Sequence, residues 1–171
     1  MSVSGTDDVD RTLKKLSELD MKQAVADAIQ TVRAAAVLNC PVDTGELRQS
    51  IYADVEGDAN RAVGTCWTNR AYAPYVEFGT GPKGQANHAG ISPEVTPVYT
   101  QVPWWIHESQ VDRRTAEKYR WFYINTPQGR FYQCTGQPAH PFLYPALHDN
   151  EDKILKNMKA SFQADIGKES K

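Results

Sequence analysis

The chain has 171 residues and a mass of 19.1 kDa, which fits one compact domain that buries about 70% of its unfolded surface. Its 19 Lys and Arg residues and 21 Asp and Glu residues leave a formal net charge of -2. A near-neutral chain has no positive field that would hold nucleic acid without sequence preference. No apolar run approaches the roughly 20 residues that cross a bilayer, which excludes membrane spans.

The N-terminus and the cysteines indicate a protein made in the cytosol with reduced thiols. The first residues have neither the basic region nor the apolar region of a secretory signal. Cys40, Cys66 and Cys134 are odd in number, lie far apart and form no C-x-x-C pair. This usage favours packed thiols over a disulfide framework or a zinc knuckle.

An amphipathic pattern predicts a helix over residues 7–40, because apolar residues recur there at three- and four-residue steps. The segment 17–20 is expected to divide this helix, since Asp20 can cap a new start. Pro41 is expected to end it, because proline disfavours helical geometry in the residue before it. The apolar positions are Val9, Leu13, Leu16, Met21, Val25, Ile29, Val32 and Ala36.

The next segment is predicted to form a turn, a short helix and a β-hairpin. The side chain of Asp43 or Thr44 can cap a short helix that starts at Gly45. Alternating residues at 51–56 and 62–68 predict two strands, which a turn-rich Gly-Asp-Ala-Asn link joins.

A short helix and a long loop are predicted to follow. Residues 71–78 resemble a helix that Gly79 closes in the left-handed conformation. Residues 79–103 carry many Gly and Pro residues without periodicity, and loops of that length in a compact domain are usually functional or disordered. Gly79, Gly81 and Gly84 spell G-x-G-x-x-G, but the dinucleotide fingerprint needs a preceding strand and a following helix. Here a helix is expected before the motif and a Pro-rich loop after it.

An aromatic-dense segment covers residues 104–134. It is predicted to contain a polar helix at 107–118 and a hairpin with strands at 121–124 and 130–132. Both faces of the first strand are apolar: Tyr119, Trp121 and Tyr123 point one way, and Phe122 and Ile124 point the other. One face therefore needs cover, either from a satellite core within the chain or from another subunit.

A C-terminal helix is predicted after the Pro141–Pro145 segment. Apolar residues on one face carry this prediction, and the helix is expected to fray near Gly167. These residues are Leu147, Ile154, Leu155, Met158 and Phe162.

Two alternatives of other classes remain open. A thiol- or metal-dependent hydrolase would use Cys134 or Cys66 with His140, and a zinc site would add His88, His107 or His148, but no short paired ligand spacing supports either. A single-stranded nucleic-acid-binding module would use the aromatics as a stacking platform. The basic residues available to it are Arg113, Arg114, Lys118, Arg120 and Arg130, and Glu108, Asp112 and Glu117 dilute them.

Three blocks of the sequence resemble the signature blocks of the tail-completion (neck, head–tail joining) family of long-tailed bacteriophages and prophages. They are Pro41 to Ile51 (PVDTGELRQSI), Tyr72 to Thr80 (YAPYVEFGT) and Gly136 to Leu147 (GQPAHPFLYPAL), in that order. The blocks and their flanking helices cover most of residues 10–165. Three blocks in order are far more specific than one.

The resemblance implies an α+β fold, in which a long N-terminal helix and a C-terminal helix pack on a small antiparallel β-sheet. To this fold the chain adds a long loop and an aromatic β-hairpin insertion. We expect a single tail-completion domain over residues 1–171, with the insertion at about 81–135. The resemblance also implies structural roles for residues of the blocks, namely Asp43, Thr44, Gly45, Tyr75, Glu77, Phe78, Gly79, Pro141, Phe142 and Pro145.

The function that the resemblance implies is structural and not enzymatic. A homo-oligomeric ring, often six-fold, would cap the tail tube and join it to the head connector, with DNA passing through its lumen. The expected partners are further copies of the chain, a tail tube or tail terminator protein and a head-connector protein. We expect the host cytoplasm before assembly and the virion neck afterwards, with no cofactor, no metal, no membrane and no specific nucleic acid.

The residues predicted to contact neighbouring subunits lie in the insertion, whose role the resemblance does not supply. They are Trp104, Trp105, Trp121, Tyr123, Phe131, Tyr132, Gly81 and Gly84.

Overall fold

A computed structural model describes residues 21–168. The part of the predicted N-terminal helix at 7–20, including its division at 17–20, lies outside the described residues. The fold is α+β, with a long helix near the N-terminus, a C-terminal helix and small antiparallel sheets, as predicted. The chain forms two compact units, one of residues up to Arg70 and from Phe142 onward, the other of Ala71–Pro141. The single domain with an insertion at about 81–135 stays a prediction.

Helix α1 (Met21–Asn39) packs on both strands of the first hairpin. Its buried residues recur at the spacing of one helix face, which confirms the amphipathic pattern. The helix ends just before Cys40 and Pro41, as expected from the effect of proline on the preceding residue. The buried residues are Ala24, Ile29, Val32 and Ala36.

A tight turn leads from α1 into the short helix α2 (Glu46–Gln49). Gly45 caps this helix with a φ of 84°, a left-handed conformation that glycine adopts without steric cost. The Thr44 hydroxyl accepts a hydrogen bond from the Glu46 amide at 3.4 Å, which confirms one of the two predicted caps. The helix begins at Glu46, one residue later than predicted.

The predicted hairpin is confirmed. Strand β1 (Ile51–Gly57) pairs antiparallel with strand β2 (Ala62–Thr68). Ile51, which is fully buried, lies opposite Thr68. Alternate residues of β1 are exposed, as expected for a strand that a helix covers on one face.

The turn of this hairpin depends on the Asp58 carboxylate, which accepts from the amides of Asn60 at 2.9 Å and Arg61 at 3.0 Å. These two bonds, with a smaller contribution from Lys22, hold the pKa of Asp58 below its usual range. Because the folded pKa is depressed, the stabilisation is fully present above the unfolded pKa of about 4 and is lost as pH falls through the lower folded value.

We expect Asp58→Ala to lower the thermal midpoint at pH 7 more than Asp58→Asn, because asparagine keeps an acceptor for the two amides. The difference between wild type and Asp58→Asn should begin to shrink as pH falls below about 4 and be smallest below the lower pKa of the folded carboxylate. Thermal unfolding of the three chains at several pH values measures both effects. Equal midpoints for the alanine and asparagine variants at pH 7 would contradict the role of the side chain.

The second unit begins with helix α3 (Ala73–Phe78), as predicted. Gly79 follows with the expected positive φ of 75°, but its ψ of 177° is extended and not left-handed helical. Helix α4 (Gly81–Ala86) then corrects the prediction of an irregular loop over 79–103. The sequence Gly-Pro-Lys-Gly-Gln-Ala does not predict a helix, because glycine and proline usually mark turns.

The aromatic segment forms a three-stranded antiparallel sheet. Strand β3 (Trp104–His107) precedes a 3₁₀ turn and helix α5 (Arg113–Lys118), so the predicted helix over 107–118 is wrong in its first half. Strands β4 (Tyr123–Thr126) and β5 (Gly129–Cys134) confirm the predicted hairpin, although β4 starts two residues later than expected. The central strand is β5.

The chain ends in two helices where one was predicted: α6 (Tyr144–His148) and α7 (Glu151–Lys168). Both contact α1. The break between them separates Leu147 from the apolar residues of α7, and Leu147 is exposed. Ile154, Met158 and Phe162 are partly buried, as expected, whereas Leu155 is exposed. In the described part of the chain, the helices are all too short or too polar to cross a membrane.

Candidate assembly surface

The three-stranded sheet has two different faces, because successive side chains of a strand point to opposite sides. The register sets Ile106 opposite Tyr132 and His107 opposite Phe131. It also sets Ile124 opposite Phe131. We call the side with Tyr132 the inner face and the side with Phe131 the aromatic face.

The inner face is covered in part by residues of the same unit, although Tyr123 on it is exposed. Tyr132 is buried at 4% exposure, and the ring of Trp121 lies edge-on at 6.5 Å between ring centroids. The guanidinium of Arg130 stacks on the Tyr123 ring at 4.3 Å. Helix α4 approaches Trp104 so closely that a Cβ on Gly81 would lie 2.8 Å from the indole ring. The covered part of this face, around Tyr132, is a satellite core within the second unit.

The aromatic face is open to solvent. Trp105 is 42% exposed and Phe122 is 63% exposed, and their rings meet edge-on at 6.1 Å. Ile124 is also exposed, and Phe131 is partly buried against His107 with centroids 5.0 Å apart. None of these side chains is a carboxylate, a lysine or an arginine. An uncharged cluster of this kind is typical of a surface that another protein covers.

The hairpin turn at one end of the aromatic face is tied to β3. His107 Nε2 lies 3.0 Å from the Gln128 carbonyl oxygen, and the Ser109 amide donates to His107 Nδ1 at 3.2 Å. These partners assign the proton to Nε2. The Glu108 carboxylate accepts from the Arg130 amide at 2.9 Å. The two contacts fix the turn and present the aromatic face as one surface.

The structure divides the aromatic residues predicted for an assembly interface. Trp105 and Tyr123 are exposed, Tyr132 is buried, and the other three are partly buried. Phe122 and Ile124 are also exposed on the aromatic face and were not among the predicted residues, although strand alternation alone places both on one face. The partly buried residues are Trp104, Trp121 and Phe131.

The two glycines predicted for the interface are buried inside the second unit. A Cβ on Gly84 would lie 2.8 Å from the carbonyl carbon of Gly79 and 2.9 Å from the Tyr99 ring. Gly81 has a φ of 60° and packs against Trp104. Close packing explains both residues, so the G-x-G-x-x-G spacing reflects a helix stop and a second helix that begins at once. Helix α4 was not expected within the motif, but the predicted irregular loop does follow it over 87–103.

The second and third signature blocks meet inside the second unit. Thr80 and Gln137 form an isolated antiparallel bridge, and the His140 amide donates to the Val76 carbonyl at 2.8 Å. The Gln137 side chain donates to the Tyr75 carbonyl at 2.7 Å. These bonds hold the end of α3 against the segment before Pro141, which favours a structural role for both blocks.

The residues of the signature blocks differ in burial and in hydrogen bonding. Glu77 is buried at 5% exposure, while Tyr75 on the same helix is 59% exposed. The Phe78 carbonyl accepts from the Tyr99 hydroxyl at 2.7 Å. In the first unit, Phe142 is fully buried and Pro145 lies in the first turn of α6, where proline is well tolerated.

A groove of about 700 Å³ lies beside these residues in the second unit. Its walls are aromatic and aliphatic side chains, among them Tyr72, Tyr75, Val98 and Trp104. Val98 is almost completely exposed. The groove has no charged residue in its lining, and its titratable groups are the hydroxyls of tyrosines.

The residues of the hydrolase alternative are not assembled into a site. Cys134 is buried in β5 opposite Trp104, and His140 is exposed. Within residues 21–168, no hydrogen bond joins the two, and no group of three His, Cys, Asp or Glu side chains could hold a metal ion. Catalysis by a nucleophile needs a base within hydrogen-bond reach of it.

The nucleic-acid alternative lacks the charge that it needs at the aromatic face. A stacking platform for single strands combines aromatic rings with cations that follow the backbone. Arg130 stacks on Tyr123 at the inner face, and Arg113 is paired with Glu117 at 2.8 Å. Basic side chains lie instead over the rings of Tyr119 and Tyr123, outside the aromatic face.

Comparison with known families gives one match. Residues 7–79 match the family described as "Bacteriophage HK97-gp10, putative tail-component". The match covers less than half of the chain and includes the first signature block and all but the last residue of the second. No curated protein and no solved structure matches the chain. Through residues 7–79 the chain is similar to a phage tail-component family, which confirms the predicted resemblance and supports a structural role in a phage tail.

Proposed function

We propose that this chain is a tail-completion (neck) protein, which caps the tail tube and joins it to the head connector as a homo-oligomeric ring, six-fold in the simplest form. The match of residues 7–79 to a phage tail-component family carries this proposal. The matched residues include α1 and the first hairpin, which pack on each other in the first unit. The third signature block, which lies outside the match, adds to the support.

The aromatic face supplies a surface for assembly. Its exposed rings would be covered on contact with a neighbouring protein, and burial of apolar area drives such contacts. The chain's net charge of -2 is small enough to leave little repulsion between copies in a ring. We propose that the partners are further copies, a tail tube or tail terminator protein and a head-connector protein.

The proposed life cycle has two stages. The subunit is made in the host cytoplasm and then becomes part of the virion neck, where DNA passes through the ring lumen. No catalytic step, cofactor or specific nucleic-acid contact belongs to this function. Ring subunits that repeat one head-to-tail contact close on themselves when the rotation between copies allows it.

Binding to tail tubes tests the proposal directly. The full chain is measured by light scattering alone and after mixing with purified tail tubes, and any complex is imaged by electron microscopy. We expect density at one end of the tubes. A chain that ignores tube ends but carries stoichiometric metal, or one hyper-reactive cysteine, would favour the hydrolase instead.

A charge on the aromatic face should disrupt assembly. We expect Phe122→Asp to weaken tube capping at least tenfold, because a buried unpaired carboxylate would cost more than the roughly 1.4 kcal/mol that a tenfold change requires. Tyr119→Asp is the matched control, since Tyr119 is similarly exposed at 57% in the same insertion but lies at the end of α5, outside the aromatic face. Sedimentation of each variant with tubes measures the effect. Equal losses for the two variants would remove the aromatic face from the interface.

A further inference from the structure

The first hairpin is a two-stranded sheet with two outer edges. Each of its strands is seven residues long, and α1 covers one of its faces. Arg33 Nε donates to the Ile51 carbonyl of β1 at 2.8 Å. Among residues 21–168 no third strand joins this sheet, so outward backbone groups of β1 and β2 can pair with a strand of another chain.

These edges lack two of the features that usually prevent strand pairing between molecules. Lysine, proline and inward-pointing charges blunt edge strands in many proteins. The β1 sequence Ile-Tyr-Ala-Asp-Val-Glu-Gly and the β2 sequence Ala-Val-Gly-Thr-Cys-Trp-Thr contain no lysine and no proline. A pair of strands is also marginal as an independent sheet, so added strands would stabilise it.

We propose that the β1 edge of one copy pairs with the β2 edge of a second copy of this chain. Both strands expose alternate side chains on the face away from α1. On β1 that row includes the acids Asp54 and Glu56, whereas on β2 it includes Val63 and Thr65.

The charges select this pairing over the symmetric ones. A contact between two β1 edges would set the acids of one copy against those of the other, and like charges that face each other across strands are destabilising. A contact between two β2 edges would leave both β1 edges open. Pairing β1 with β2 satisfies both edges, sets the acidic row beside an uncharged one, and continues the antiparallel order of the sheet.

The contact is head-to-tail, so the same step can be repeated from copy to copy until a ring closes. In this respect the inference rests on the proposed neck function, and it names the surface that builds the ring. The aromatic face of the second unit is then free for a different partner.

Disulfide trapping between single-cysteine additions tests the pairing. The full chain is made as Glu56→Cys, Val63→Cys and Thr65→Cys variants. Two variants are mixed, one of them labelled with ¹⁵N, and mildly oxidised. Mass spectrometry then counts the mixed dimers, which contain one labelled and one unlabelled chain. Each variant adds only one thiol, so a disulfide between two introduced thiols must join two different chains. Burial raises the pKa of the native Cys66 thiol, which therefore reacts slowly at neutral pH, and the wild-type chain is oxidised in parallel.

We expect Glu56→Cys to form at least tenfold more mixed dimer with Val63→Cys or Thr65→Cys than labelled Glu56→Cys forms with unlabelled Glu56→Cys. Lys153→Cys, at an exposed position of α7, is the control partner and should give only the background yield. Mixed dimers no more abundant than the control, or a preference of Glu56→Cys for itself, would overturn the inference.

The same trapping with and without tail tubes separates this inference from the proposed function. Trapped mixed dimers that do not cap tubes would keep the strand pairing and contradict the neck function. Capping of tubes without mixed dimers would keep the neck function and place the ring contact elsewhere.

Discussion

Phe142→Ala is expected to lower the free energy of unfolding by about 3–5 kcal/mol. Phe142 is fully buried in the first unit, directly before α6. Truncation removes most of an aromatic side chain from a close-packed interior and leaves a cavity that the neighbours fill only in part. Among the fully buried side chains of the described residues, Phe142 is the largest.

Leu147→Ala is the matched control for this loss. Leu147 lies in α6, five residues further on, but it is 55% exposed, so we expect a change of less than about 1 kcal/mol. Urea unfolding followed by circular dichroism measures both variants against wild type. A similar loss of unfolding free energy in both variants would contradict the idea that the burial of Phe142 stabilises the first unit.

Gly136→Ala is expected to destabilise the second unit by more than about 2 kcal/mol. Gly136 has a φ of 80°, and a Cβ there would lie 1.8 Å from the carbonyl oxygen of Thr80. That atom belongs to the backbone of the Thr80–Gln137 bridge, so it cannot move without breaking the bridge. The strain of a left-handed alanine adds to the cost of this displacement.

Gly90→Ala separates the two contributions. Gly90 has the same φ of 80°, but the nearest atom to an added Cβ is the Pro141 ring at 3.4 Å. We therefore expect only the conformational cost, about 1–2 kcal/mol. Hydrogen exchange of the Thr80 and Gln137 amides reports the bridge itself, since each donates to the other's carbonyl. Unchanged protection in Gly136→Ala would show that the bridge tolerates a Cβ there.

The first unit could be predicted well from the sequence, because its signals are local and periodic. The apolar spacing of α1 and the alternation of β1 each repeat over several turns or residues, and Pro41 marks a clear end. The break between α6 and α7 was missed, since the apolar residues on either side continue one helical spacing across it.

The second unit was harder to predict, because contacts distant in sequence decide its structure. Strand β3 has four residues and depends on pairing with β5, about 27 residues away. Helix α4 contains two glycines and a proline, and its close packing on Trp104 and Tyr99 overrides their low helix propensity. The aromatic residues were correctly identified as a cluster, but only the register shows that Tyr132 faces inward and Phe122 faces outward.

The discontinuous first unit has a consequence for synthesis on the ribosome. Its core needs Phe142 and α6, which emerge only after the whole of Ala71–Pro141 has been translated. At about 5–20 residues per second, the face of α1 that packs on α6 waits several seconds for its partner. Nascent chains that end before Phe142 should therefore need chaperones, and an oligomer that requires the complete first unit cannot start to form on polysomes.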